Sequence, residues 1–346
     1  MEYKEGGSNM RKEKAFLALV VGLICLIFVH ALGQAASAEI KFGHLDPLSA
    51  FAANRLPSGP TYKDVLVATV QDAGKPFNLR TNIYLPKTPA TGPIPLLLFI
   101  HGHGGAYNFA NGSRAYEFSI ALADRGIAVA TISYRPETGL PENVYDVKAY
   151  VRYFRAHAKE FNIDPNRIGI WGTSRGGHLA AMLATTGDIK ELEGDVGGRL
   201  DQSSRVQAAV IYYPFTDVFL QPDDAPRFLK LFFGAKDPET PGIVEAYKKN
   251  DTSSPYWKYV QKANLVNPMN YVSKDGPPVL ITCGGKDTVT PIIHSTTLFN
   301  KYLEKGGVAS FYGYTVGVHG RVGTDIEAAS SEWLANKLLI ELAPKK

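Results

Sequence analysis

Three residue types, spread over the second half of the chain, could together carry out nucleophilic chemistry. Ser174 sits in Gly172-Thr173-Ser174-Arg175-Gly176, a G-x-S-x-G pattern. An apolar run, RIGIW, precedes it, and LAAMLATTG, a good helix former, follows. A serine on such a sharp strand-to-helix turn presents its hydroxyl, and the flanking glycines remove side-chain clashes there. Free N–H groups at the helix start add positive potential beside a forming oxyanion. Serine is a poor nucleophile unless a base takes its proton. The base is expected last in the chain and an acid between, each just beyond a strand. Asp287 in LITCGGKDTVTP and His319 in FYGYTVGVHG fill those places. His319 would deprotonate Ser174 and later protonate the leaving group. Asp287 would hold the imidazole tautomer and stabilise its cation. Asp217, after IYYPFT, is the second choice of acid because it follows the strand one earlier.

These residues need a scaffold, and the apolar patterning supplies one. DVLVATV and FNLRTNIYL come close together and suit an antiparallel start. IPLLLFIH, GIAVATISY, RIGIW, VQAAVIYY, PPVLITC and VASFYGYTV follow. Most are continuous apolar runs, as expected of strands buried on both faces of a mainly parallel sheet. Between them lie helical patterns. The best spans 141–162, where Val144, Val147, Val151, Phe154 and Ala158 make one apolar stripe. Others fit 114–124, 175–185, 291–304 and 326–342. Parallel strands joined by helices imply right-handed crossovers and an open, doubly wound sheet. Residues 216–271 break the alternation and read as a helical insertion over the sheet, of the kind that often forms a lid. Tyr256, Trp257 and Tyr259 within it could stack on a ligand or form the insertion's own small core.

Composition narrows the classes further. The chain has 346 residues, 45% hydrophobic and 20% charged, with a net charge of +4. That balance suits a sizeable core and offers no basic stripe for nucleic acid. The start reads as a secretory signal peptide over 1–38: a basic MRKEK, the apolar AFLALVVGLICLIFV, and the small residues ASA. The apolar run is short of the roughly 20 residues a span needs. Export to the periplasm or outside the cell is therefore expected, with no stable membrane insertion once the signal is removed. Residues 39–61 would be an extension and 62–346 the folded domain. Removal of the signal leaves one cysteine, Cys283, so no internal disulfide can form. Cys283 ends a strand-like run and suits a buried apolar role. His101, His103 and His178 make a weak metal pattern without a carboxylate or thiolate at useful spacing. No metal and no cofactor are expected.

Taken together, HGHGG, the stretch DVKAYVRYFRAHAKEFNIDPNRIGIWGTSRGGHLAAMLATTG, GGKDTVTP and GVHG resemble the α/β-hydrolase esterases and lipases. The likeness runs over about 62–342 and is nearest to bacterial carboxylesterases that include feruloyl and acetylxylan esterases. It implies an α/β-hydrolase fold: a mostly parallel eight-stranded sheet, helices on both faces, and the helical insertion before the seventh strand. It implies a serine carboxylic-ester hydrolase working through an acyl-enzyme on Ser174, on a small or carbohydrate-linked ester. It also implies oxyanion donors from the backbone N–H groups of His103, Gly104 and Arg175. The Arg175 side chain then has two readings, a part in the oxyanion site or a salt bridge anchoring the turn. A prolyl-oligopeptidase-like peptidase and a non-catalytic binding protein on the same fold are the alternatives.

Overall fold

The apolar runs become the strands of one sheet. The structure, a computed structural model, describes residues 38–43, 59–102, 114–187, 189–221 and 223–342. Within these, β2 (Tyr62–Asp72) and β3 (Lys75–Tyr84) form an antiparallel pair. Strands β4 (Ile94–Ile100), β5 (Ala128–Ile132), β6 (Ile163–Thr173), β7 (Ala208–Tyr212), β8 (Val279–Gly284) and β9 (Ala309–Tyr314) run parallel to one another. Every residue of β4, β5, β7, β8 and β9 is buried, whereas β2 keeps exposed positions. That contrast follows from position: inner parallel strands are covered on both faces, and the outer antiparallel strand is open on one.

Eight strands were expected and nine are found. The extra one, β1 (Ala38–Gly43), pairs in parallel with β9, giving the order β1-β9-β8-β7-β6-β4-β5-β3-β2. The first residues of the expected N-terminal extension thus belong to the sheet. The rest of the proposed signal segment, 1–37, lies outside the described residues. No helix among the described residues is long and apolar enough to cross a membrane.

Helices cover both faces. They are α1 (Arg114–Ala121), α2 (Glu142–Ala156), α3 (Arg175–Thr185), α4 (Ala225–Phe233), α5 (Thr240–Lys249), α6 (Trp257–Leu265), α7 (Ile292–Glu304) and α8 (Thr324–Asn336). Successive strand residues point to opposite faces, so each strand feeds two cores. Leu96, Leu98, Ile170 and Ile211 pack with Val147 of α2, Leu179 of α3 and Leu298 of α7. Leu97, Phe99, Trp171 and Val210 pack with Phe118 of α1 and Leu334 of α8.

Three helix ends differ from the sequence expectation. α2 closes at Ala156, and 157–162 turn through a left-handed Asn162 (φ 53°) into β6. α1 stops at Ala121 and tightens into a 3-10 turn, Leu122–Arg125, against Gly126. α8 stops at Asn336 and widens into a π turn, Lys337–Glu341. In each case the apolar stripe continues past the point where the backbone changes its bonding, and periodicity does not register that change. Between β7 and β8, helices α4, α5 and α6 occupy the stretch without strands. Tyr256, Trp257 and Tyr259 are half-buried and pack against the core on the α3 side. Tyr259 also donates to Glu239 at 3.3 Å, so these rings are structural members of the insertion. Cys283 is fully buried, and burial pushes its thiol up to about 12.

Candidate active site

The end of β6 turns abruptly at Ser174, whose φ of 55° and ψ of −117° lie outside the helical and extended regions. α3 begins at the next residue. Two glycines make the turn sterically possible. A Cβ on Gly172 would lie 2.0 Å from the Gly176 carbonyl oxygen, and one on Gly176 would lie 2.3 Å from that of Ile100. No real Cβ tolerates either approach. The Ser174 N–H donates to the Tyr212 carbonyl at 3.0 Å, which ties the turn to the end of β7.

The loops after β8 and β9 bring two further side chains to this turn. His319 Nε2 lies 2.9 Å from Ser174 Oγ, and His319 Nδ1 lies 2.8 Å from Asp287 Oδ2. Asp287 Oδ1 accepts from the N–H groups of Val289 at 2.8 Å and Thr290 at 2.9 Å. Burial alone would raise the Asp287 carboxyl. The bonds from His319, Thr290 and Val289 outweigh it and hold it below its usual value. An ionised carboxylate only accepts, so Nδ1 carries the imidazole proton. Nε2 is then left with a lone pair facing the serine hydroxyl. The Asp287 side chain is sealed from solvent while the His319 ring is 24% exposed. Such an arrangement can move a proton off Ser174 and return it to a group arriving from solvent.

Asp217, the other acid considered, is engaged elsewhere. Its Oδ1 accepts the Phe219 N–H at 2.8 Å, and its side chain bonds Asn267. Burial raises its carboxyl above the usual value. The Arg175 side chain makes no ion pair among the described residues, so the salt-bridge reading does not hold. It donates instead to Asn143 Oδ1 at the start of α2, and its guanidinium lies 5.4 Å from the Tyr134 ring and 5.2 Å from the Phe232 ring. The turn is thereby clamped to α2 and to α4 of the insertion. His103 and Gly104 lie outside the described residues. Gly102, just before them, is close enough that a Cβ there would sit 3.0 Å from Ser174 Cβ.

Of the weak metal pattern, His103 lies outside the described residues, and the other two histidines have aromatic partners. His178 is fully buried, stacks on Phe215 at 4.0 Å and hydrogen-bonds the Phe215 carbonyl through Nδ1. His101 stacks on Tyr134 at 4.8 Å. Among the described residues no group of three or more His, Cys, Asp or Glu could hold a metal ion.

Two contributors escaped the sequence reading. Thr290 Oγ1 lies 3.1 Å from Asp287 Oδ2 and donates to the Tyr213 carbonyl at 2.9 Å. The spacing Asp287-x-x-Thr290 is the available signal, since an aspartate often caps N–H groups two and three residues on. Tyr213 touches His319 edgewise, with ring centroids 4.8 Å apart at 65°. Its strand-end position carries no signal for that contact.

The BD-FAE family profile matches residues 81–302, well over half the chain. The chain belongs to the BD-FAE family. This places it among the α/β-hydrolase esterases, and the nine-stranded, mainly parallel sheet agrees. It is 28% identical over 210 residues to a probable carboxylic ester hydrolase, LipM, of Mycobacterium tuberculosis, covering 60% of this chain and 44% of that one. It is 23% identical over 240 residues to an acetylxylan esterase of Xylanibacter ruminicola, covering 68% of this chain and 42% of that one. The chain thus spans less than half the length of these curated relatives. Among solved structures, a truncated carbohydrate esterase from gut microbiota superposes with a TM-score of 0.61 at 29% identity. That match covers 82% of this chain and all of the other.

Proposed function

We propose that this BD-FAE protein is a serine carboxylic-ester hydrolase that works through an acyl-enzyme on Ser174. The observation that carries the reading is the chain of two hydrogen bonds, 2.9 Å from Ser174 to His319 and 2.8 Å from His319 to Asp287. His319 Nε2 takes the hydroxyl proton as Oγ attacks the ester carbonyl. The tetrahedral oxyanion is held by the Arg175 backbone N–H at the start of α3, with the N–H groups of His103 and Gly104. Collapse of the intermediate expels the alcohol, which takes the proton back from His319. Water then repeats the sequence on the acyl-enzyme, and Ser174 is regenerated. Asp287 keeps the imidazole oriented and stabilises its cation throughout. Neither step needs a metal, because backbone donors hold the developing charge.

The substrate is a small or carbohydrate-linked ester, a reading supported by relatives named acetylxylan esterase and carbohydrate esterase. The signal-like segment 1–38 directs export, residues 39–43 add an edge strand to the sheet of the hydrolase domain, and 216–271 form its insertion. Ser174→Ala tests the mechanism. Turnover of a short-chain nitrophenyl ester should fall by about 10⁴ or more while the circular dichroism spectrum is kept. Activity of the unmodified protein should survive exhaustive dialysis against EDTA and be lost to one equivalent of a serine-directed phosphonate. A Ser174→Ala variant with a tenth of normal turnover would end the assignment, as would activity restored to the dialysed protein by added zinc or calcium.

A further inference from the structure

Tyr213 breaks two local rules at once. It precedes Pro214, and a residue before proline is driven to extended backbone. It is also bulky, and bulky side chains avoid positive φ. Its φ is nonetheless +35°. The consequence shows in the packing. Along β7, Ala209 and Ile211 face one core, and Ala208, Val210 and Tyr212 face the other. Regular alternation would send Tyr213 back to the first. It joins the second, beside Tyr212, so the positive φ has re-aimed the ring.

The re-aimed residue touches His319 directly and meets neighbours of Ser174 and Asp287. Its ring lies against His319 with centroids 4.8 Å apart. Its hydroxyl lies beside the side chain of Thr173, the residue before Ser174. Its carbonyl accepts from Thr290 Oγ1 at 2.9 Å, and that hydroxyl sits 3.1 Å from Asp287 Oδ2 and 3.3 Å from His319 Nδ1. Its N–H donates to the Thr282 carbonyl on β8 at 2.6 Å. The side chain is buried, at 4% exposure. An outlier conformation held by this many partners, at this place, is a feature the surrounding structure enforces.

We propose that Tyr213 is the positioning residue of the triad. Its ring sets the plane of the His319 imidazole against Ser174, and its carbonyl, through Thr290, sets the carboxylate that orients the same imidazole. This rests on the serine esterase reading above. The residue touches no substrate. It acts by holding Nε2 within reach of Oγ, and displacement of a reacting group by about 1 Å can cost on the order of a hundredfold in rate.

The test is kinetic, on the full chain, with a nitrophenyl ester and active sites counted by phosphonate titration. Tyr213→Leu removes the ring and keeps the backbone. It should lower kcat per titrated site by about 30-fold and leave KM within about threefold. Tyr213→Phe restores the ring and should recover at least tenfold of that loss. A merely structural tyrosine would reduce the number of titrated sites and the melting temperature while each surviving site turned over normally. That result would overturn the proposal, and so would equal losses in the Leu and Phe variants. If Tyr213→Leu fails to fold, Thr290→Val and Thr290→Ser decide instead. Val should lose about tenfold in kcat at unchanged KM, with Ser restoring it, and no difference between them overturns the proposal. Failure of the unmodified protein to bind phosphonate at Ser174 would count against the esterase reading and not against Tyr213 alone.

Discussion

Asp287 and Asp217 are both buried-end carboxylates beyond strands of one sheet, and the difference between them is what each one's oxygens receive. Asp287 accepts two backbone N–H groups on one oxygen and the imidazole on the other. Asp217 accepts from Phe219 and Asn267 and stays above its usual value. Asp287→Asn should therefore cost up to about 10⁴ in turnover, because the amide favours the wrong histidine tautomer. Asp217→Asn should stay within about tenfold. A dead Asp217 variant beside an active Asp287 variant would reverse the choice of acid. Ser174, Asp287 and His319 were legible because each falls at a fixed place relative to an apolar run. The partners of Arg175 were not. An arginine after a nucleophile looks the same in sequence whether it meets a carboxylate or, as here, an asparagine and two aromatic rings. Tyr213 was illegible for the same reason, since its contacts are set by a turn through positive φ, whereas Thr290 left a local signal in its spacing from Asp287 but none for its bond to Tyr213.

At the scale of elements, the strand-turn-helix unit around Ser174 tolerates no added atom. Gly176→Ala would place a methyl group 2.3 Å from the Ile100 carbonyl oxygen and 2.4 Å from that of His101. Both are backbone, so α3 must move away from β4. We expect a loss of about 1–3 kcal/mol or more, read as a lower urea midpoint, together with loss of turnover. Gly92→Ala is the control. Nothing lies within 4 Å of its Cβ position, and its stability should change by less than about 0.5 kcal/mol. Full stability in the Gly176 variant would mean that the turn is looser than described. The eight anticipated strands all appear, because continuous apolar runs of that length have few other uses. β1 was missed because AEIKFG is short and alternates polar with apolar residues, as an edge strand does and as many linkers do. The helix ends were misjudged where an apolar stripe outlasts its hydrogen-bond ladder.

For the molecule as a whole, two buried histidines outside the proposed triad contribute to its response to acid. His178 is lowered to about 3 by burial, and His294 to about 4 by burial with Arg227 adding to it. In the unfolded chain both titrate near ~6.5. Their folded values are depressed, so their contribution is complete above about pH 6.5 and is lost as pH falls toward the folded values. Between about pH 6 and 4 the unfolded chain binds up to two more protons than the native one. Stability should then fall by as much as about 2.7 kcal/mol per pH unit from these two groups. Asp146 and Asp217, raised by burial, act in the opposite sense, so the test is a difference: His178→Leu should make the fall of the urea midpoint with acid shallower by up to about 1.4 kcal/mol per pH unit. Equal slopes in the variant and the unmodified protein would contradict the burial of a neutral imidazole at His178. The strand order carries a further consequence, in time. Among the described residues β1 is the earliest strand and pairs with β9, the latest; the bond from Tyr312 to Glu39 joins residues 273 positions apart. At roughly 5–20 residues per second of synthesis, β1 waits on the order of 14 to 55 seconds before its partner exists. The interior strands find neighbours sooner after they are made, so the pairing of β1 with β9 is the latest strand pairing that synthesis permits among the described residues.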